Sequence, residues 1–108
     1  MTRDNSSPPL TAADRSDMTF VIEAVRLIEL VQLATGERYA ALGKRLGKPL
    51  PKNSNDEQDW CAFLDCLAQY AWGVRIIEFW QHEFEVAYVR FGDFVDDSEA
   101  ALFRLTYL

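Results

Sequence analysis

Residues 74–91 read VRIIEFWQHEFEVAYVRF, and the fold class turns on whether they form a helix or a hairpin. Their β-branched and aromatic content favours strand, while the spacing of their polar residues favours helix. On a helical wheel Ile76, Ile77, Trp80, Phe84, Ala87, Tyr88 and Phe91 share an arc of about 120°, and Arg75, Glu78, Gln81, His82, Glu83, Glu85 and Arg90 occupy the rest. Period-two alternation holds only for Phe84, Val86 and Tyr88. A hairpin would also have to turn near Gln81 and His82 without Gly, Asn, Asp or Pro, the residues that make tight turns inexpensive. The reading is therefore a helix, with a hairpin over residues 74–91 as the alternative.

Working outward, the flanking segments read as helices too. Upstream, Ser16 or Asp17 caps a helix through Phe20 to Thr35, with Gly36 just past its end. Phe20, Ala24, Leu27, Ile28 and Val31 line one face. Ile22, Val25, Leu30 and Leu33 fall among its charges, more apolar surface than one buried stripe needs. Glu37 to Leu46 makes a second helix, and GKPLPKNSN is a loop. Asn55 or Asp56 caps a third helix with Trp60, Phe63, Leu64, Leu67, Tyr70 and Ala71 on one side and Trp72 on the polar side. Downstream, Gly92 and Asp93 end the 74–91 element. Asp97 or Ser98 then caps a helix over Glu99 to Tyr107, with Ala101, Leu102 and Leu105 turned inward. Residues 1–17 form a polar tail, and residues 18–108 form one domain. The expected fold is an all-α bundle of four to five helices; the alternative is α+β.

Composition bounds the function. A chain of 108 residues with 49% hydrophobic and 26% charged residues suits one soluble domain. No window is long and apolar enough for a membrane span, and MTRDNSSPPL lacks the features of a signal peptide, so a cytoplasmic setting is expected. The formal charge is −6. Residues 37–52 are basic through Arg38, Lys44, Arg45, Lys48 and Lys52, whereas residues 53–108 are strongly acidic. That majority argues against direct nucleic-acid binding and for a protein partner with a basic surface. Cys61 and Cys66 lie about 140° apart on the third helix, too far around it to pair. One histidine and no glycine-rich phosphate loop leave no metal, cofactor or nucleotide motif.

One constellation carries chemistry. Seven residues separate Arg75 from His82, so a helix places both on one face with Glu78 beside them. This Arg-x6-His spacing resembles the motif of the HEPN family, small all-helical and usually dimeric domains whose active members cut RNA at a cleft between two copies. The resemblance implies that His82 moves a proton and Arg75 holds the phosphate by paired hydrogen bonds. It covers eight positions, and Ile76 stands where the family usually carries a polar residue. Without it, Arg75, Glu78 and His82 are a solvated helix face joined by ion pairs.

The reading that accounts for more of the chain is a non-enzymatic protein-binding module, such as an inhibitor, immunity protein, antitoxin or regulatory subunit. Its candidate contact residues are Ile22, Leu30, Leu33 and Trp72 for the apolar part, and Glu83, Glu85, Asp93, Asp96 and Asp97 for the acidic part. A second copy of the chain is the other partner considered. The runner-up is a HEPN-like ribonuclease, or an inactive relative, using Arg75, His82 and Glu78.

Overall fold

The computed structural model describes residues 15–51, 57–83 and 85–108. The elements are β1 (Phe20–Glu23), α1 (Ala24–Thr35), α2 (Tyr39–Arg45), α3 (Glu57–Trp72), β2 (Arg75–His82), β3 (Glu85–Gly92) and α4 (Asp97–Tyr107). The fold is α+β: helices pack on one face of an antiparallel sheet in the order β1-β3-β2. The all-α bundle is therefore overturned, and the hairpin alternative fits.

The hairpin explains its own disguise. Ile76 pairs with Phe91 and Glu78 with Arg90, so Ile77 is an extra residue on β2; Trp80 pairs with Tyr88 and Gln81 with Val86, so Ala87 is an extra residue on β3. Each bulge resets the alternation of faces. Ile76 and Phe79 consequently pack against the core three residues apart, and so do Val86 and Val89. A spacing of three is what a helix would show. The turn is equally unconventional. His82 pairs with Glu85, and Glu83 takes a left-handed φ of 58° without being Gly, Asn or Asp.

The expected first helix also splits. Phe20 to Glu23 are a strand with alternating burial, pairing with Phe91 through Tyr88 of β3. The helix begins at Ala24 behind Glu23, whose extended backbone makes no side-chain cap. Gly36 does end α1, at φ 72°, its N–H donating to the Gln32 carbonyl. Ser16 caps no helix. Its N–H donates to the Phe94 carbonyl at 3.0 Å, its hydroxyl to Asp97 at 2.7 Å, and it accepts from the Met18 N–H at 3.1 Å. The Arg15 guanidinium donates to the Asp93 and Gly73 carbonyls and pairs with the Asp93 carboxylate at 2.9 Å. This end of the expected tail is thus tied to the domain; its residues 1–14, and the expected cap at Asn55 or Asp56, lie outside the described residues.

The core forms where α1 and α3 meet the sheet. Leu27, Leu30 and Val31 from α1, Phe63, Leu64 and Leu67 from α3, and Val74, Val89 and Phe91 from the hairpin are all essentially inaccessible. The α4 helix joins through Ala100, Phe103 and Tyr107, of which Phe103 makes the most ring contacts. Phe103 is 4% exposed and lies within 4.9–6.1 Å, centroid to centroid, of Phe20, Trp72, Phe91, Phe94 and Tyr107. Asp96, one residue before the expected cap, starts α4 by accepting the Glu99 N–H at 2.9 Å. That start turns Ala100 and Phe103 inward and corrects the face assigned from sequence: Ala101, Leu102 and Leu105 point to solvent.

Candidate functional site

Extended backbone separates what a helix would have joined. Arg75 and His82 stand at opposite ends of β2, roughly 20 Å apart along a strand rising about 3.3 Å per residue, where a helix would hold them about 10 Å apart on one face. Each has other company. Arg75 donates from Nε to both Asp65 oxygens at 3.1 and 3.2 Å, and the neighbouring Ile76 N–H donates to the same carboxylate at 2.8 Å. Those hydrogen bonds raise the Arg75 pKa above the ordinary arginine value. Glu78 pairs across the sheet with Arg90 at 2.9 Å. His82 is exposed at the hairpin end, opposite Glu85. The shared helical face and the all-helical fold that the HEPN resemblance implies are therefore not formed.

The apolar candidates divide by layer. Leu30 is 1% exposed and Ile22 packs against the core, while Leu33 is 72% exposed. Of the acidic candidates, Glu83 and Glu85 lie at the hairpin turn, and Asp93, Asp96 and Asp97 gather where β3 gives way to α4. Asp93 holds Arg15, Asp96 caps α4 and Asp97 accepts from Ser16, so all three charges are also structural.

Trp72 lines a concavity at the end of α3. A groove of about 480 Å³ runs between the end of α3 and α4, lined by Tyr70, Trp72, Phe94, Leu102, Phe103 and Tyr107. Gly73, which ends α3 at φ 69°, and Glu99, the charged residue of the lining, complete its rim. Trp72 stands edge-on to Phe103 at 4.9 Å and to Tyr107 at 5.5 Å. Its indole nitrogen is buried and has no hydrogen-bond acceptor among the described residues. Tyr70 is held from behind by Arg45, which donates to its hydroxyl at 3.2 Å and stacks 5.2 Å from its ring centroid. The bidentate pair of Arg45 with Glu37, aided by Tyr70, raises the arginine pKa.

Beside the groove, α4 carries a second apolar face. Leu102, Leu105 and Leu108 are 58%, 85% and 53% exposed, and their spacing of three keeps them within about 120° of the helix circumference. Sequence reasoning assigned Leu102 and Leu105 to the core. The spacing of Ala100, Phe103 and Tyr107, which sets both aromatic rings of α4 on one side, is the signal for the inward face. The open sheet face is the other apolar surface, with Val21, Ile77, Trp80 and Tyr88 exposed, but Arg90 already crosses it to reach Glu78 and the Trp80 ring.

Among the described residues no three His, Cys, Asp or Glu side chains gather where they could hold a metal ion. No helix among them is long and apolar enough to cross a membrane. No protein-family model, curated protein or solved structure matches this chain.

Proposed function

We propose that the chain is a non-enzymatic protein-binding module, acting in the cytoplasm as an inhibitor, immunity-type or regulatory subunit on a partner with a basic surface. The observation that carries this reading is that α4 has two apolar faces and its own domain uses one. Phe103 and Ala100 are buried, while Leu102, Leu105 and Leu108 remain in solvent beside an aromatic groove. Burying those three leucines against a partner is worth on the order of 3–6 kcal/mol before the costs of association. The acidic surroundings, Asp96, Asp97 and Glu99, favour a cationic partner and raise its rate of encounter.

Site-specific photocrosslinking tests this. A photoreactive side chain at position 105 should capture one basic protein in extract of the producing cells, and the same group at exposed Ala62 on α3 should not. Glu99→Gln together with Leu102→Glu should abolish the capture without lowering the urea midpoint. Equal capture from both positions, or none, refutes the reading.

A further inference from the structure

We propose that the outer edge of β2 pairs with the same edge of a second copy of this chain, antiparallel and centred on Trp80, joining the two sheets into one. This surface lies away from the exposed leucines of α4 and does not depend on the binding-module reading.

The two edges of the sheet are unlike. In the order β1-β3-β2, β1 has four residues and runs straight into α1, whereas β2 has eight, and among the described residues no strand pairs with its outer side. Open edges are commonly protected by Lys or Pro, and Glu78 to His82 contain neither. Glu78, Trp80, Gln81 and His82 are exposed and Phe79 is half-buried. The start of β2 is closed to a neighbour, because the Ile76 N–H donates to the Asp65 carboxylate at 2.8 Å and Ile77 is the extra residue of a bulge. The other end turns at Glu83. Pairing is thereby confined to Glu78 through His82.

Those limits select both the occupant and the register. Residues opposite one another in a sheet point to the same face, so a two-fold axis between residues, which sets open-face side chains against core-face ones, is ruled out. An axis at Trp80 pairs the whole stretch: Trp80 meets the partner's Trp80, Phe79 meets the partner's Gln81, and Glu78 meets the partner's His82. Glu78, Trp80 and His82 alternate onto one face, opposite Arg90, Tyr88 and Glu85 of β3. By symmetry two carboxylates each meet an imidazole, and the Trp80–Tyr88 cross-strand pair is extended by its copy. Moving the axis to Phe79 or Gln81 shortens the pairing and sets Glu78 or His82 against Trp80. This self-complementarity favours a second copy over a foreign strand. So short a pairing is small for an interface, and the dimer is a weak one.

The test is sedimentation velocity on the full chain from about 1 μM to about 1 mM, where a monomer–dimer equilibrium is expected. Trp80→Lys, which sets two ammonium groups together at the axis, and His82→Glu, which faces the partner's Glu78, should each weaken it about tenfold or more. His82→Lys keeps a donor opposite that carboxylate and should leave it within about twofold. Val21→Lys on the open face of β1 and Leu105→Glu on α4 should not change it. Urea midpoints establish that each variant folds. Trp80→Cys should form a disulfide between chains on mild oxidation, above the background set by Cys61 and Cys66. His82→Cys should not, because the two copies of that position lie roughly 13 Å apart along the strands. A monomer at every concentration overturns the proposal, as does a dimer indifferent to His82→Glu or equal cross-linking from positions 80 and 82. Loss of the dimer with Val21→Lys would place the copies face to face, and loss with Leu105→Glu would seat them on α4; either overturns the edge pairing.

Discussion

Replacing Gly43 by alanine sets two effects of opposite sign against each other. Gly43 lies inside α2 and is buried. In helix propensity alone, Gly43→Ala should stabilise by about 0.5–1 kcal/mol. Space decides otherwise. A Cβ at this position overlaps Cε1 of Phe63 and falls 2.7 Å from the Lys48 carbonyl oxygen. Neither neighbour can retreat easily. Phe63 is fully buried and edge-on to both Tyr39 and Trp60 at about 6 Å. Residue 48 is tied back to α2 by its own N–H, which donates to the Gly43 carbonyl at 2.8 Å. Overpacking of this kind costs about 1–3 kcal/mol, and more where backbone must move. The net expectation is a loss of about 1–2 kcal/mol, a fall in Tm of roughly 5–15 °C for a domain of this size. Urea denaturation followed by tryptophan fluorescence and far-ultraviolet circular dichroism measures it. Ala41→Gly, at an exposed position of the same helix, calibrates the propensity term and should cost about 0.5–1 kcal/mol. Stability of Gly43→Ala equal to or above that of the unmodified chain would refute the seating of α2 against α3.

Three further substitutions probe the hairpin, the α4 start and the α3–β2 junction. Glu83 sits at φ 58°, so Glu83→Asn, a residue that tolerates the left-handed region, should raise the urea midpoint by the equivalent of about 0.5–1 kcal/mol. Asp96→Ala removes the acceptor of the Glu99 N–H and should cost about 0.5–2 kcal/mol in the same assay. Asp65→Asn should destabilise by nearly the same amount at pH 6 and pH 10. Its partner Arg75 has a pKa raised chiefly by the Asp65 hydrogen bonds. A cation whose pKa rises on folding contributes its stability at every pH below the unfolded value and loses it only on passing the folded one, well above pH 10. A marked fall of that difference between pH 6 and 10 would show that Arg75 is not the group held by Asp65.

The C-terminal ends of α1 and α2 are legible because they depend on local chemistry, whereas the start of α1 is not: the expected cap at Ser16 or Asp17 gives way to a strand over Phe20–Glu23. Gly36 and Gly47 stop α1 and α2 in left-handed conformations, at φ 72° and 78°, and spacing places most of the apolar faces of α1 and α3, though Leu30 ends buried and Tyr70 49% exposed against it. The hairpin was not legible, because its sequence contradicts the rule that would reveal it. Two bulges, at Ile77 and Ala87, break the alternation, and a glutamate occupies the left-handed turn position. The β1 strand was hidden differently. Four residues pair only with β3, so nothing in Phe20 to Glu23 signals a strand until β3 is known to be one.

The surface was misread as a consequence of that topology. The sequence gives α1 and α4 the same character, helices with apolar residues beyond a single stripe, and a wheel cannot say which neighbours will take the surplus. In α1 it is absorbed only in part: the helix packs against β3, α3 and α2, and Leu30, which the wheel places among charges, ends at 1% exposure, while Val25 and Leu33 stay 65% and 72% exposed. In α4 it is not absorbed. With residues 74–91 folded into a sheet, α4 docks through Ala100 and Phe103, and no layer among the described residues covers Leu105 at 85% exposure. Had residues 74–91 been a helix, an enclosing bundle would have needed Leu102 and Leu105 inside. One substitution pair separates the two arrangements: Leu30→Glu should unfold the chain by burying an unpaired charge, while Leu105→Glu should leave folding within about 0.5 kcal/mol. On the proposed reading, the same glutamate that is harmless to the isolated domain at position 105 should abolish partner capture there, because it sets a charge in the apolar face that the partner would bury.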